Sequence, residues 1–258
     1  MADHTLDARG SACPMPVVKT SQAIKGLAVG DTLEILATDR GAVSDVPAWC
    51  RFTGNELLEQ SDEGACSGSS SARRREEMAE MTDELTETAT EPSPQPAEPE
   101  GPSRLTIIAW SGDLDRIWPT LILSTTAAAS GMQATVFFTF WGLFSLVKPG
   151  VRVTGEHWMQ KTLSVMNPGG AHKGKLSKLN FAGAGPAMMR KLARDNKVPE
   201  PQELLELAQE MGVRLLPCQM TMDLLGLKPG DLIDGLEEPV GAATALLEMK
   251  DSDIQLFI

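Results

Sequence analysis

Cysteines are few in this chain and basic residues are outnumbered, and each shortage excludes a class of protein. The 258 residues include 4 cysteines, 23 basic and 35 acidic residues, for a formal net charge of −12. Four cysteines are too sparse for a secreted disulfide scaffold of this length. Nucleic-acid-binding proteins carry clustered positive charge, and the overall excess of acidic residues argues against that class. The opening residues, Met1–Thr5, have neither a basic segment nor an apolar run, so we expect no signal peptide and a cytoplasmic protein.

Composition divides the chain into three segments, 1–64, 65–103 and 104–258. The middle segment has a Gly/Ser stretch, three consecutive arginines and an acidic stretch rich in threonine, glutamate and proline. It has no aromatic residue and few large aliphatic ones, so it cannot bury enough apolar surface to offset the entropy lost on ordering. We therefore expect two domains joined by a flexible acidic linker.

The first segment alternates between helices and strands. Its patterns predict helices at Pro14–Lys25 and Ala42–Thr53 and strands at Leu33–Ala37 and Glu56–Gln60. Prolines are tolerated in the first turn of a helix, and Gly54 is a suitable C-terminal stop for the second one. This order favours a small two-layer α/β sandwich.

The last segment shows the same alternation over a longer range. Strands are predicted at Leu105–Trp110, Ala134–Phe138, Val213–Leu216 and Ile254–Ile258, and helices at Leu114–Ser130, Pro201–Met211 and Val240–Met249. Strands that alternate with helices are typical of a parallel sheet covered on both faces. We expect an α/β domain of flavodoxin-like layout.

An uncharged stretch between Arg116 and Lys148 is long enough to cross a bilayer. Polar residues interrupt it, and Gly131 stands where a helix would end before a strand begins. We therefore interpret the stretch as a buried helix, a turn and a central strand. A membrane anchor is the alternative.

Cys13 stands in Ala12-Cys13-Pro14-Met15-Pro16, just ahead of the first predicted helix. The N–H groups and dipole at a helix N-terminus favour an anion, so we expect a lowered pKa and a reactive thiolate at Cys13. A buried structural cysteine is the alternative.

Cys218 follows a predicted parallel strand at its carboxyl end and precedes a helical turn. Ligands and reactive groups gather at this edge of open α/β sheets, which makes Cys218 the second candidate. Because cysteine is often buried, an inert core residue is the alternative.

The remaining cysteines and the histidines are weaker candidates. Cys50 lies on the apolar face of its predicted helix and is interpreted as a packed thiol. Cys66 lies in the Gly/Ser stretch and is either incidental or part of a relay. The histidines, His4, His157 and His172, share no ligand spacing with any cysteine, so we predict no metal and no cofactor.

The stretch 167–197 has two glycine-rich motifs and seven basic residues. Its glycine spacing matches neither a phosphate-binding P-loop nor a dinucleotide fingerprint. A mobile, solvated loop is one interpretation. The other is a docking surface for the acidic first domain, attracted by charge complementarity.

Two motifs in the first segment, Leu6–Thr20 and Asp45–Leu57, resemble the TusA/SirA family of sulfur carriers. The resemblance implies that Cys13 carries sulfur as a persulfide. That family's fold has a fourth strand, whereas Ser61–Gly64 runs directly into the polar linker. We therefore expect this strand to be missing or supplied from elsewhere.

The motifs Ser111–Asp115, Phe137–Gly142 and Lys175–Asn180, with the Cys218 segment, resemble the DsrE/DsrF/DsrH family, closest to its second DsrE-type branch. The resemblance implies a sulfurtransferase domain that accepts sulfur on Cys218 and assembles into a homo-oligomer. Some members are expected to touch membranes.

The two resemblances together imply a sulfur relay in dissimilatory sulfur oxidation. Cys13 and Cys218 would exchange sulfane sulfur with each other and with persulfide donor and acceptor proteins, such as rhodanese-like proteins or other sulfur carriers. The alternatives are a relay for tRNA thiolation, a thiol-redox protein of disulfide or peroxidase type, and a non-catalytic adaptor.

Overall fold

The computed structural model describes residues 2–39, 42–62, 68–73, 101–151, 169–171 and 174–258. The described residues form two α/β units, each built on a four-stranded sheet. The first unit comprises the described residues up to 73 and the second those from 101 onward. Most of the predicted linker, together with Cys66, His157 and His172, lies outside the described residues.

The sheet of the first unit has the strand order β1-β2-β4-β3. Its strands are β1 (His4–Asp7), β2 (Thr32–Ala37), β3 (Glu56–Asp62) and β4 (Gly68–Arg73). Helices α1 (Met15–Lys25) and α2 (Ala42–Thr53) pack on it through a core to which β2 contributes Leu33 and Ile35. The predicted helices, strands and two-layer sandwich are confirmed.

Strand β4 decides between a fourth strand that is missing and one supplied from elsewhere. The strand is present and comes from the stretch predicted as linker, whose residues 68–73 therefore belong to the first unit. It lies between β2 and β3 and is antiparallel to both, with Ser70 opposite Ile35 on one side and Gln60 on the other. Its sequence, GSSSAR, has no alternating apolar residues, and that alternation is the pattern by which a half-buried strand is recognised. Backbone pairing with two neighbours places it in the sheet, which extends to Arg73.

The second unit has a parallel sheet of strand order β7-β6-β5-β8. Its strands are β5 (Arg104–Ala109), β6 (Gln133–Phe138), β7 (Arg214–Pro217) and β8 (Ile254–Phe257). Its helices are α3 (Leu114–Ala129), α4 (Ala184–Asp195), α5 (Pro201–Glu210), α6 (Gln219–Leu225) and α7 (Ala242–Lys250). All four predicted strands are confirmed, as is the flavodoxin-like α/β layout.

Successive side chains of each strand enter different cores, because they point to opposite faces of the sheet. Ile107, Val136 and Leu215 belong to the core that contains the apolar residues of α3 and α5. Their sequence neighbours Ile108, Phe137 and Leu216 belong to a smaller cluster with Ala245 of α7. We call these sides the α3/α5 face and the α7 face.

The uncharged stretch is divided between α3, β6 and a 3-10 turn at Phe140–Leu146. Much of each element is buried in the second unit. The interpretation as a buried helix, turn and strand is confirmed. Among the helices that the structure describes, none is long and apolar enough to cross a membrane.

The predicted mobile loop at 167–197 is wrong for its second half. Residues 181–183 form a 3-10 turn that leads into α4, and α4 buries Gly185, Pro186 and Ala193. After α4, Lys197 reaches the first unit, since a Cβ placed on Gly10 would lie 2.8 Å from Nζ of Lys197. The stretch therefore touches the first unit, as its docking interpretation requires.

The first unit packs on the α3/α5 face of the second. Nε1 of Trp49 in α2 donates a hydrogen bond to the carbonyl oxygen of Ala129 at the end of α3, at 2.5 Å. Ala129 is part of the first unit's core, and Leu207 and Met211, in and just after α5, pack against that core. The second unit's helices therefore hold the first unit on one side of the parallel sheet.

The central place of β4 predicts the effect of a proline at its midpoint. In Ser70→Pro the ladder loses an N–H donor and φ is restricted, so the first unit should lose about 2 kcal/mol of stability or more. Hydrogen exchange followed by mass spectrometry should show faster exchange in β2 and β3 and unchanged exchange in β5 and β6. Ser70→Thr, which keeps the N–H and suits a strand, is the control. Unchanged exchange in β2 and β3 of the proline variant would contradict a central β4.

Candidate functional site

Cys13 lies between β1 and α1, directly before Pro14, the N-cap residue of α1. The peptide bond between Cys13 and Pro14 is cis. The N–H of Cys13 donates a hydrogen bond to Oδ2 of Asp39, at 2.9 Å, in the segment that follows β2. The thiol is partly exposed and forms no disulfide. The predicted position at the start of α1 is therefore confirmed.

The predicted direction of the pKa shift at Cys13 is wrong. Partial burial, followed by the negative charges of Asp45 and Asp39, raises the pKa of this thiol to about 11. Burial disfavours the thiolate because it removes water, and each nearby carboxylate disfavours it by charge repulsion. With a pKa of about 11, Cys13 is a neutral thiol near pH 7 in this arrangement.

Cys50 is a packed thiol, as predicted. It lies in α2 within the core of the first unit and is almost fully buried. Burial raises the pKa of its thiol to about 11. A thiol enclosed in this way is a poor resolving cysteine.

Cys218 lies at the predicted position, immediately after β7 at the carboxyl end of the parallel sheet. It is the N-cap residue of α6. Its N–H donates to the carbonyl oxygen of Phe138 at the end of β6, and its own carbonyl accepts from the N–H of Met222, both at 3.0 Å. These bonds hold its backbone between two strand ends and the first turn of α6.

The side chain of Cys218 points to the α7 face. It clusters there with Leu216, two residues earlier on the same face, and with Ala245 of α7. The segment before α7 closes over it, because Val240 donates its N–H to the carbonyl of Pro217 and accepts from the N–H of Gln219, both at 3.0 Å. Cys218 is only 3% exposed as a result.

The structure places the two predicted cysteines in separate sites. Cys13 belongs to the first unit, which packs on the α3/α5 face, whereas Cys218 belongs to the cluster on the α7 face. Both are free thiols. A cavity of about 820 Å³ between the units is lined by residues such as Ser21, Trp49 and Ser130, and neither cysteine is among its lining residues.

Sequence reasoning missed the carboxylates near Cys13 and an aromatic group at the carboxyl edge of the second sheet. Asp39 and Asp45 were not identified as electrostatic neighbours of Cys13, since the first follows β2 and the second lies in α2, far along the chain. At the carboxyl edge of the second sheet, Trp110 stacks on Phe257 with ring centroids 6.4 Å apart, and the guanidinium of Arg116 lies 5.4 Å from the centre of the Trp110 ring. The only sequence signal for these aromatic residues was their position at strand ends.

Possible metal ligands do not converge in the described part of the chain. No group of three or more histidine, cysteine, aspartate or glutamate side chains there is arranged to hold a metal ion. Two of the histidines, His157 and His172, lie outside the described residues.

Comparison with protein families agrees with the two-unit architecture. Residues 102–257, more than half of the chain, match the model of the DsrE/DsrF/DrsH-like family. The chain belongs to this family. Residues 4–67 match a second family model, described as sulfurtransferase TusA. Cys218 lies within the match to the DsrE/DsrF/DrsH-like family, and Cys13 lies within the match to TusA.

Individual relatives cover one part of the chain or the other. The uncharacterized protein YrkE of Bacillus subtilis is 39% identical over 155 residues, which are 60% of this chain and 96% of YrkE. The sulfur carrier protein DsrE2 of Allochromatium vinosum is 38% identical over 164 residues, covering 60% of this chain and 98% of DsrE2. The putative sulfur carrier protein YrkI of Bacillus subtilis is 52% identical over 63 residues, covering 24% of this chain and 84% of YrkI.

The carboxylates beside Cys13 predict how its reactivity depends on pH. Asp45→Asn and Asp39→Asn each remove a negative charge, so the pKa of Cys13 should fall in both variants, and more in Asp45→Asn, because Asp45 has the larger effect. The thiolate fraction of Cys13 at about pH 8 should rise roughly ten-fold for each unit by which the pKa falls. The alkylation rate should rise by roughly three-fold per unit, because a less basic thiolate is also a weaker nucleophile.

The measurement is the pH profile of iodoacetamide labelling, read at Cys13 by peptide mass mapping. Asp31→Asn is the matched control, since Asp31 is a partly exposed residue of the first unit whose carboxylate accepts the N–H of Ala28 at 2.9 Å. A profile that shifts equally in Asp31→Asn, or in none of the variants, would show that the local carboxylates do not set this pKa.

Proposed function

We propose that this protein is a cytoplasmic sulfur relay in which Cys13 and Cys218 carry and transfer sulfane sulfur as cysteine persulfides. The observation that carries the proposal is that one chain matches two families that include sulfur carriers. Each match contains a cysteine at the end of a strand or the start of a helix. Cys13 begins α1 within the TusA match, and Cys218 ends β7 within the match to the DsrE/DsrF/DrsH-like family.

The transfer step uses the thiols alone. A thiolate attacks the outer sulfur of a persulfide, a new S–S bond forms on the attacking cysteine, and the old S–S bond breaks. The leaving cysteine takes the proton that the attacking thiol released. The sulfane sulfur keeps its oxidation state, so the step consumes no oxidant or reductant.

The environment of Cys13 suits a sulfur carrier whose thiol becomes reactive when a partner protein binds. Because its pKa is raised to about 11, little thiolate forms near pH 7 and unwanted alkylation or oxidation is slow. A donor protein with a basic surface would neutralise Asp39 and Asp45 on docking and would favour the thiolate at that moment. We therefore propose that the donors to Cys13 are persulfide-carrying proteins with basic docking surfaces.

The relatives support a role in sulfur metabolism. DsrE2 of Allochromatium vinosum is named a sulfur carrier protein and aligns over 98% of its length. TusA of the same organism, also named a sulfur carrier protein, is 40% identical over 62 residues, covering 24% of this chain and 82% of TusA. We infer that this chain joins the two kinds of carrier for one pathway and propose dissimilatory sulfur oxidation as that pathway.

Intact mass spectrometry after incubation with glutathione persulfide tests the proposal. The wild-type chain should gain the mass of one or more sulfur atoms, and peptide mapping should place them on Cys13 and Cys218. Cys13→Ser and Cys218→Ser should each lose the gain at the substituted position, whereas Cys50→Ser, a buried thiol, should load like the wild type. A thiol-redox protein would instead lose two hydrogens as a disulfide. Equal loading of all four proteins at sites other than Cys13 and Cys218 would overturn the assignment.

A further inference from the structure

We propose that sulfur passes from Cys13 of one chain to Cys218 of a second copy, and that the first unit of the donating chain docks over α6 and α7 of the accepting chain. The inference rests on the proposed relay and adds the partner chain, the docking surface and the direction of sulfur transfer between chains.

Cys218 lies on the face of the second sheet that α7 covers. Its side chain clusters with Leu216, Ile108 and Phe137, which all point away from the α3/α5 core. A thiol that delivers sulfur to Cys218 must therefore approach over α7 or over the strand ends beside it.

The chain's own first unit is held on the other side of that sheet. The bond from Trp49 to the carbonyl of Ala129 and the packing of Leu207 against the first core fix it over α3 and α5. Lys197, which follows α4 on that side, lies against Gly10, three residues before Cys13. The described arrangement therefore brings Cys13 of the same chain to the face opposite Cys218.

Exposed apolar side chains flank Cys218 on two helices. α6 begins at the residue after Cys218 and exposes Met220 and Leu224, one turn apart. α7 begins two residues after Val240, the residue that pairs with Cys218, and exposes Leu246 and Leu247. Exposed apolar side chains on two helices that both adjoin Cys218 favour a protein interaction site there. We call these four side chains the α6/α7 patch.

α7 packs on the sheet through a small part of its surface. Ala245 is its one buried residue, while Leu246 is 64% exposed. An incoming first unit can bury Leu246 and Leu247 and displace α7 from Cys218, which would open the enclosed thiol at the moment of transfer. A second copy supplies such a unit at the same concentration as the acceptor.

The chemical step balances between the two chains. The sulfur of Cys218 attacks the outer sulfur of the Cys13 persulfide, so that an S–S bond forms on Cys218 and the S–S bond on Cys13 breaks. The proton of the Cys218 thiol passes to the Sγ of Cys13, the leaving group of the broken S–S bond. One chain ends as a thiol and the other as a persulfide.

Complementation between two inactive full-length variants tests the inference. Cys13→Ser and Cys218→Ser are coexpressed with different affinity tags, so that mixed assemblies form as the chains fold, and are then incubated with glutathione persulfide. Sulfur on Cys218 can arise only on the Cys13→Ser chain and is followed by peptide mapping over time. The references are Cys13→Ser alone and the wild type.

Transfer between chains should load Cys218 in the mixed sample faster than in Cys13→Ser alone and close to the wild-type rate. The inference is overturned if Cys218 loads no faster in the mixed sample than in Cys13→Ser alone while the wild type loads faster. That result would leave the relay intact within one chain. Equal rates in all three samples would instead remove Cys13 as the source for Cys218, and absence of sulfur on both cysteines would remove the proposed function itself.

A pair of matched surface variants tests the docking site. Leu246→Glu in the Cys13→Ser chain should slow complementation by roughly ten-fold, since it places a charge in the α6/α7 patch. Met188→Glu in the same chain is the control, because Met188 is 61% exposed on α4, beside the α3/α5 face. Circular dichroism and melting temperature confirm that both variants fold. Equal slowing in both, or slowing in Met188→Glu alone, would overturn the assignment of the surface.

Discussion

The alternation of side chains across a parallel sheet is the constraint on which the rest of this structure depends. Because neighbouring residues of a strand point to opposite faces, Ile107 and Ile108 enter different cores. The same rule places Leu216 and Cys218 together on the α7 face. The helices that hold the first unit lie on the other face, so the architecture of the second sheet separates the two thiols.

The surroundings of Cys13 oppose the activation expected from its place before a helix. The attraction of the α1 dipole acts over the first turn of the helix. Partial burial and the carboxylates of Asp45 and Asp39 act on the same sulfur and raise its pKa to about 11. In the proposed relay such a thiol is protected near neutrality and would be activated by a partner that docks beside those carboxylates.

Local patterns predicted most of the fold because apolar alternation and helix boundaries were strong in the segments concerned. All four strands of the second sheet and the helices α1 and α2 followed from them. β4 could not be predicted in this way, since GSSSAR carries no apolar pattern and is a strand through pairing with β2 and β3. α4 was missed because its glycines and basic residues are equally typical of a loop, and it exposes apolar residues that a helix pattern would bury.

The sequence by itself determined the two-part organisation, the places of Cys13 and Cys218 at element ends, and the likeness to sulfur carriers, because these depend on short contiguous motifs. Only the tertiary structure decided the protonation of Cys13, the enclosure of Cys218 and the separation of the two sites. Each of these depends on groups distant in sequence, such as Asp39 beside Cys13, Val240 over Cys218 and Ala129 under Trp49. Chain folding brings such groups together, and no local pattern records their distances.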